Sequence, residues 1–277
     1  MNIPCKKIWS LTFRSASHIF NNSTYRQFGH RQESPWLTMH SVGNDPRDHG
    51  FYRALDTLFN LDPPYPAINF EPYYTGWDNP GSKMNKPGGE RPTPNSQRDN
   101  YFARAQMYGS VLSGGLSGHV HGTAAYDITS TGEPAGWRPH FWDALRYESG
   151  KQMQYLANFM LSEGAEYQNL EPAHEDLYPQ KSANSSLRSL DGWSYMMRNE
   201  ERDMALVYFE NKAELPTVKG FDPDSAYLFM WFDPKKGEWQ APIEIRSDKT
   251  GVIQLPKFPS GKNRSGTDWA AKITNRK

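Results

Sequence analysis

Ala67-Ile68-Asn69-Phe70-Glu71-Pro72-Tyr73-Tyr74 is a short apolar run that ends on a carboxylate. A run of this length bounded by turn residues reads as a buried strand. Here Pro63, Pro64 and Pro66 precede it, and a Gly-, Pro- and Asn-rich stretch over 76–96 follows it. In a parallel (β/α) barrel, side chains at the C-terminal ends of the strands project into the active-site face. Glu71 is placed for that role.

Working outward, the chain alternates strand and helix. Residues 50–60 predict a short helix with Phe51, Leu55, Leu58 and Phe59 on one face. Residues 35–42 predict a strand closed by Gly43-Asn44-Asp45-Pro46, and residues 8–13 a further buried strand. After the loop comes a helix over about 98–113, with Tyr101, Phe102, Ala105, Tyr108, Val111 and Leu112 as its apolar stripe and Gly114-Gly115 as its stop. Leu116 to Gly122 reads as a strand bearing His119 and His121. A second long loop carries Trp137, His140 and Trp142. Residues 150–163 predict an amphipathic helix, with Ser149 and Gln152 as a capping box and Gly164 as its end.

The character changes after a polar stretch. From Trp193 the apolar runs are short and closely spaced: 204–209, 226–232, 242–245, 252–255 and 268–273. That pattern predicts an all-β sandwich. The expected fold class is therefore α/β, a partial or truncated (β/α)8 TIM-type barrel followed by a small all-β sandwich. The expected division is a barrel region over 1–175, a linker over 176–192 and a β-sandwich over 193–277.

Composition narrows the function. The 277 residues carry 31 basic and 31 acidic side chains. A nucleic-acid binder usually shows a basic excess or patch, and none is visible, so neither nucleic acid nor an anionic membrane is an expected partner. No stretch approaches the roughly 18 apolar residues that a membrane span needs. The single cysteine, Cys5, rules out an intramolecular disulfide. Basic residues near Met1 are not followed by an apolar segment, so no signal peptide is read there. Aromatic content is high at 14%, which suits both a core and a sugar-stacking cleft. No Walker motif, dinucleotide fingerprint, Gly-x-Ser-x-Gly elbow or Cys-x-x-Cys pair occurs, and no cofactor is expected.

The candidate site residues follow from position. Glu71 is the candidate catalytic carboxylate, the other reading being a structural glutamate paired with an arginine. Tyr73, Tyr74 and Trp77 flank it as sugar-subsite rings. His119 and His121 share one face of their strand. Two ligands are too few for a zinc site, so they hold substrate hydroxyls or serve as core or rim histidines, and no metal is expected. His40, placed at the end of its strand, has the same two readings. Trp137 is a candidate platform ring or a packing residue under its loop.

Asn69-Phe70-Glu71-Pro72-Tyr73-Tyr74 resembles the nucleophile strand of the apiosidase-like glycoside hydrolases. Arg104-Ala105-Gln106-Met107-Tyr108 to Gly114, then Gly118-His119-Val120-His121-Gly122, resembles their next helix and final barrel strand. Gly150 to Leu161 with Leu170-Glu171-Pro172 resembles the closing helix. Trp231 to Glu238 and Gly266-Thr267-Asp268-Trp269 resemble the β-sandwich that follows these barrels, a module of the type called collagen-binding, although collagen is not expected as a partner. The resemblance implies a (β/α)8 enzyme that hydrolyses side chains of plant or microbial polysaccharides. It implies Glu71 as the nucleophile of a retaining mechanism, His119 in the substrate pocket and a carbohydrate as the partner. Family members are often exported.

One departure bears on activity. A full barrel takes about 250 residues, and about 200 at the least; the region before the linker is shorter. Ile8-Trp9-Ser10-Leu11 resembles the strand that ends in the family's acid/base aspartate, but Thr12-Phe13-Arg14-Ser15 follow it. The expectation is an incomplete barrel, with a non-catalytic carbohydrate-binding protein or degenerate remnant as the alternative. A half-barrel exposes strand edges and apolar helix faces. The chain is accordingly expected to be poorly soluble alone or to need a partner; sedimentation and thermal melting test this, and a monodisperse, cooperatively melting monomer contradicts it.

Overall fold

The computed structural model describes residues 23–30, 32–43, 47–76, 86–123 and 140–275. The strand expected over 8–13 lies outside them. In chain order come helix α1 (Thr24–Phe28), strand β1 (His40–Gly43), helix α2 (Gly50–Phe59), strands β2 (Ala67–Glu71) and β3 (Tyr74–Thr75), helix α3 (Gln97–Leu112), strand β4 (Gly122–Thr123), and helices α4 (Phe141–Ala144) and α5 (Glu148–Met160). β1 and β2 pair in parallel, with α2 as the crossover. Asn69 of β2 also bridges in parallel to His119, and β3 pairs in parallel with β4, with α3 as the second crossover. The first part of the chain is thus an arc of parallel segments backed by helices.

Two local expectations need correction. Residues 35–39 are not strand; β1 starts at His40, whose N–H donates to Pro66 O at 2.8 Å, and a turn from Leu37 N to Ser34 O occupies the preceding segment. The expected capping box at Ser149 and Gln152 does not form. Helix α5 starts at Glu148, with Tyr147 in the cap position. Ser149 Oγ instead accepts from Thr75 Oγ1 at 2.9 Å, and Gln152 Oε1 accepts from Arg104 Nη1 at 2.9 Å. Both side chains are engaged by buried neighbours on β3 and α3 rather than by their own helix end.

Helix α3 presents no single apolar face because every side of it is covered: all residues from Asp99 to Leu112 are buried. It opens on Ser96, whose Oγ accepts from Asp99 N. It stops where Gly114 adopts φ +101, at a position where a Cβ would lie 2.7 Å from Phe59 Cβ, so only glycine fits. A buried helix carrying Asp99, Asn100, Arg104, Gln106 and Ser110 must find a partner for each polar group, and those partners organise both its neighbours.

Apart from short 3-10 helices at Pro87–Gly89, Gly164–Asn169 and His174–Asp176, the remaining elements are strands. They are β5 (Leu170–Pro172), β6 (Leu177–Tyr178), β7 (Ser194–Asn199), β8 (Met204–Phe209), β9 (Thr217–Val218), β10 (Ala226–Asp233), β11 (Glu238–Trp239), β12 (Ile243–Arg246), β13 (Ile253–Gln254) and β14 (Trp269–Asn275). Seven form one sheet in the order β11-β10-β14-β8-β7-β5, with β12 also on β10; β13-β9-β6 form a second sheet. Residues 176–192, read from composition as a linker, contribute β6 to the smaller sheet and Lys181 to a bridge with Trp193.

The period-2 alternation divides the larger sheet between two cores. From β8, Ala205, Val207 and Phe209 join Tyr227, Phe229 and Trp231 in a cluster that includes Leu177, Val218 and Ile253 of the smaller sheet. Met204, Leu206 and Tyr208 face the other way, into a cluster with Phe51, Phe102, Tyr108 and Phe159 from α2, α3 and α5. The sheet-facing sides of α2, α3 and α5 are therefore covered by the antiparallel sheet, while Phe141, Trp142, Leu145 and Leu161 stay exposed.

Polar ties lock this junction. Arg104 donates through Nε and Nη2 to the two oxygens of Asp268, each at 2.8 Å, and Tyr208 OH donates to the same carboxylate. His49 Nε2 lies 2.9 Å from both oxygens of Glu210. Burial pushes the Asp268 carboxyl up, but the Arg104 charge and its hydrogen bonds hold it below the usual carboxylate range. A paired buried charge that loses its partner costs about 3–5 kcal/mol, whereas replacing both members by apolar groups is often neutral or stabilising. Asp268→Ala is therefore expected to lose about 3–5 kcal/mol in urea denaturation, and the Arg104→Met/Asp268→Leu pair much less.

Candidate active site

The register of β1 on β2 aims Glu71. His40, Ser41 and Val42 pair with Ala67, Ile68 and Asn69, but the next pair is Gly43 with Glu71. Phe70 is thus an extra residue, a bulge that resets the alternation. Asn69 faces the helices, where its Nδ2 donates to Ser110 Oγ of α3 at 2.9 Å, and Val42 beside it lies in the helix-side core. Paired neighbours in a sheet share a face, so Gly43 and Glu71 point away from the helices. Without the bulge, Glu71 would follow Ala67 and Asn69 into the helical layer.

Glu71 is paired with an arginine, as one of the two readings from sequence anticipates. Arg47, wholly buried in the segment after β1, reaches Glu71 Oε1 through Nη2 at 3.0 Å and donates from Nε to Pro72 O at 3.1 Å. The pair sits at the C-terminal edge of the parallel arc, and the Glu71 side chain keeps 14% of its surface. Arg47 holds a φ of +63, a left-handed conformation that a non-glycine residue keeps only where its surroundings fix it. Its guanidinium lies 5.0 Å above the Tyr74 ring. That ring lies close against Gly122, where a Cβ would fall 2.0 Å from Tyr74 Cδ1.

The flanking tyrosines are supports, not open platforms. Tyr73 is buried in the helix-side core, and its hydroxyl donates to Asp99 Oδ1 at 2.6 Å; Tyr74 is almost wholly buried beneath Arg47. Asp99 Oδ2 also accepts from Gly76 N and Asn95 N. Burial pushes its carboxyl up to about 6 against the hydrogen bonds from Tyr73, Asn95 and Gly76. Gln106, one helix face along, accepts from Tyr73 N at 2.7 Å. Trp77 and Trp137 lie outside the described residues. Trp142, from the same loop region, is 56% exposed in α4, edge-on to Phe141.

The histidines lie elsewhere. His119 is the bridge partner of Asn69, so it and His121 face the helical layer, opposite to Glu71. Burial, then the neighbouring His121, pushes the His119 ring down to about 3, and burial also lowers His121. Among the described residues no group of three or more His, Cys, Asp or Glu side chains is arranged to hold a metal.

His40 begins β1 rather than ending it, opposite Ala67. It is therefore four residues, about 13 Å along the strand, from the Glu71 end. If both rings are neutral, its hydrogen bonds run in one direction: His30 Nε2–H donates to Pro63 O at 2.9 Å, His40 Nε2–H to His30 Nδ1 at 3.0 Å, and Thr24 Oγ1–H to His40 Nδ1 at 3.0 Å. Thr24 Oγ1 in turn accepts from Ser41 N. Burial, then the adjacent His30, pushes His40 down to about 4.

Sequence reasoning missed Arg47, Asp99 and Gln106. Asp99, Gln106 and Ser110 stand at seven- and four-residue spacings on one face of α3, a polar stripe on a buried helix. That stripe was the available signal. Arg47 offered only its position just past a strand end.

The structure has the fold of known glycoside hydrolases. A solved structure titled "Glycoside hydrolase" matches with a TM-score of 0.68 at 19% identity, covering 92% of this chain and 55% of its own. A glycoside hydrolase family 5 protein from Bacteroides vulgatus ATCC 8482 matches with a TM-score of 0.67 at 19% identity, over 92% of this chain and 54% of its own. The chain thus spans about half the length of these structures. No curated protein sequence matches it significantly. The family model for the apiosidase-like catalytic domain matches residues 7–166, and the chain belongs to that glycoside hydrolase-like family.

His40 makes one contribution to the pH dependence of the fold, beside those of the buried His119 and His174. Its folded value, about 4, lies below the roughly 6.5 of a free histidine. The unfolded chain therefore takes up the proton first. The contribution is complete above pH 6.5 and is lost as pH falls from 6.5 towards 4. In urea titrations over that range, the wild type is expected to lose stability relative to His40→Gln; parallel curves contradict the assignment.

Proposed function

We propose that this chain acts as a retaining glycoside hydrolase on side chains of plant or microbial polysaccharides, with Glu71 as the nucleophile. The observation that carries the reading is the bulge at Phe70, which turns a C-terminal-edge carboxylate away from the helices while Arg47 pins one of its oxygens. A pinned carboxylate keeps the second oxygen in a defined direction, which attack on an anomeric carbon requires. In the proposed step a Glu71 oxygen bonds to the anomeric carbon as the glycosidic C–O bond breaks, and a second acid protonates the departing oxygen. Water then releases the sugar with inversion at that carbon, so that configuration is retained overall.

The same reading takes the parallel arc as part of a (β/α)8 barrel and the two antiparallel sheets as the β-sandwich that follows it. The alternation of strand and helix supports the first, and the core shared between the two sheets supports the second. Membership of the apiosidase-like family favours a carbohydrate partner.

A second reading, carbohydrate binding without turnover, is favoured by one observation. Asp48, the carboxylate next to Arg47 in the chain, is engaged by Arg188 at 3.2 Å and by Gly50 N at 2.8 Å, at the start of α2. It is thereby held in a structural role and not offered as the partner acid.

Glu71→Gln separates the readings, because glutamine still accepts from Arg47 but cannot attack. Loss of a nucleophile costs roughly 10⁴-fold or more in kcat. The variant is expected to keep the wild-type circular dichroism spectrum and bind the glycan that the wild type cleaves, with turnover lost. Unchanged turnover refutes the nucleophile; glycan binding by a wild type that releases no sugar supports the second reading.

A further inference from the structure

We infer that Gln106 is a positioning residue for the Arg47–Glu71 pair, an inference that rests on the proposed role of Glu71. The amide is wholly buried in the middle of α3 and faces the two chain segments that meet at the C-terminal edge of the arc. Its Oε1 accepts from Tyr73 N at 2.7 Å, in the segment that carries Glu71 and Pro72. Its Nε2 donates to Asp48 O over a longer 3.4 Å, in the segment that carries Arg47. One side chain thus ties together the backbones of the two segments whose side chains form the ion pair.

The placement follows from helix geometry. α3 runs antiparallel to β2, and Ser110, Gln106 and Asp99 meet Asn69, Tyr73 and Gly76 in turn. The eleven residues of helix from Asp99 to Ser110 advance about 16 Å, enough for one polar stripe to follow the strand end and its exit loop. Ser110 holds the strand before the bulge and Asp99 holds the loop beyond it. Gln106 sits between them and, among the described residues, alone of the three also bonds the β1 side. An amide suits this position because it both donates and accepts; a carboxylate only accepts, and an apolar side chain does neither. Arg47 receives its orientation at one remove: Asp48 O is fixed through Gln106, and Arg47 Nε donates to Pro72 O, one residue before Tyr73 N.

Two variants test the assignment. Gln106→Glu, read at a pH where the introduced carboxyl is ionised, keeps an acceptor for Tyr73 N and removes the donor to Asp48 O; Gln106→Leu removes both. The first readout needs no substrate: solvent exchange of the Arg47 Nε–H by ¹⁵N NMR on the full chain. It is expected to be slow in the wild type and at least about tenfold faster in Gln106→Glu. The second readout is kinetic, on a glycan that the wild type cleaves. Misplacement by about 1 Å costs up to roughly 10²-fold, so kcat is expected to fall about 10–100-fold with KM changed less than about threefold. A role confined to stability would lower the melting temperature and leave the exchange rate and kcat in place. Fast Arg47 Nε–H exchange in the wild type overturns the inference, as does unchanged exchange in folded Gln106→Glu; this holds even if Gln106→Leu does not fold. Faster exchange in the variant, with no glycan cleaved by the wild type, upholds the positioning and removes the hydrolase reading instead.

Discussion

Helix α3 is buried on every side, between the parallel arc and the seven-stranded sheet, and its side chains Asp99, Asn100, Arg104, Gln106 and Ser110 find their hydrogen-bond partners inside the protein. Those bonds shape both halves of the molecule. Arg104, on the sheet side, closes on Asp268 and Gln152 and fixes β14 and α5 against the helix. Ser110, Gln106 and Asp99, on the arc side, receive Asn69, Tyr73 and Gly76. The strand that ends in Glu71 is therefore referenced to the same helix that holds the antiparallel module. The sheet also reaches the site side directly, where His49, two residues after Arg47, meets Glu210.

The bulge at Phe70 makes the site possible in a sheet that otherwise follows strict alternation. Asn69 and Glu71 are two residues apart and would share a face in a regular strand. Instead Asn69 bonds α3 and Glu71 bonds Arg47 on the other side. The buried rings under the pair take part as well. Tyr74 lies between Gly122 and the Arg47 guanidinium, and Tyr73 binds Asp99, so the aromatic residues next to Glu71 stiffen the edge and are not open to stack on a sugar.

Much of the secondary structure was legible because it is written in local periodicity. The helix expected over 98–113 spans Gln97–Leu112, and the apolar runs at 204–209 and 226–232 coincide with β8 and β10. Features that depend on tertiary partners were not legible. Ser149 and Gln152 read as a capping box because nothing local reveals that Thr75 and Arg104 compete for them. Residues 176–192 read as a linker because polar composition hides a two-residue strand, β6. At the site, Glu71 could be named from its strand end, but the bulge that aims it depends on the register against β1. Arg47 could not be named at all, since its role comes from a fold contact 24 positions along the chain. His40 looked like a strand-end residue and proved to be a strand-start residue, because β1 is shorter than its apolar run.

The central claim is that a carboxylate oxygen of Glu71 bonds to the anomeric carbon of a bound sugar. The most direct measurement is covalent trapping with a panel of mechanism-based reagents, 2-deoxy-2-fluoroglycosides and cyclitol epoxides of differing configuration, followed by peptide mass spectrometry. The account predicts one sugar-sized adduct per chain, located on Glu71 in the peptide that contains Asn69 to Tyr74. An adduct on another carboxylate, or continued cleavage of a glycan by enzyme whose Glu71 stays unlabelled by the matching reagent, contradicts it.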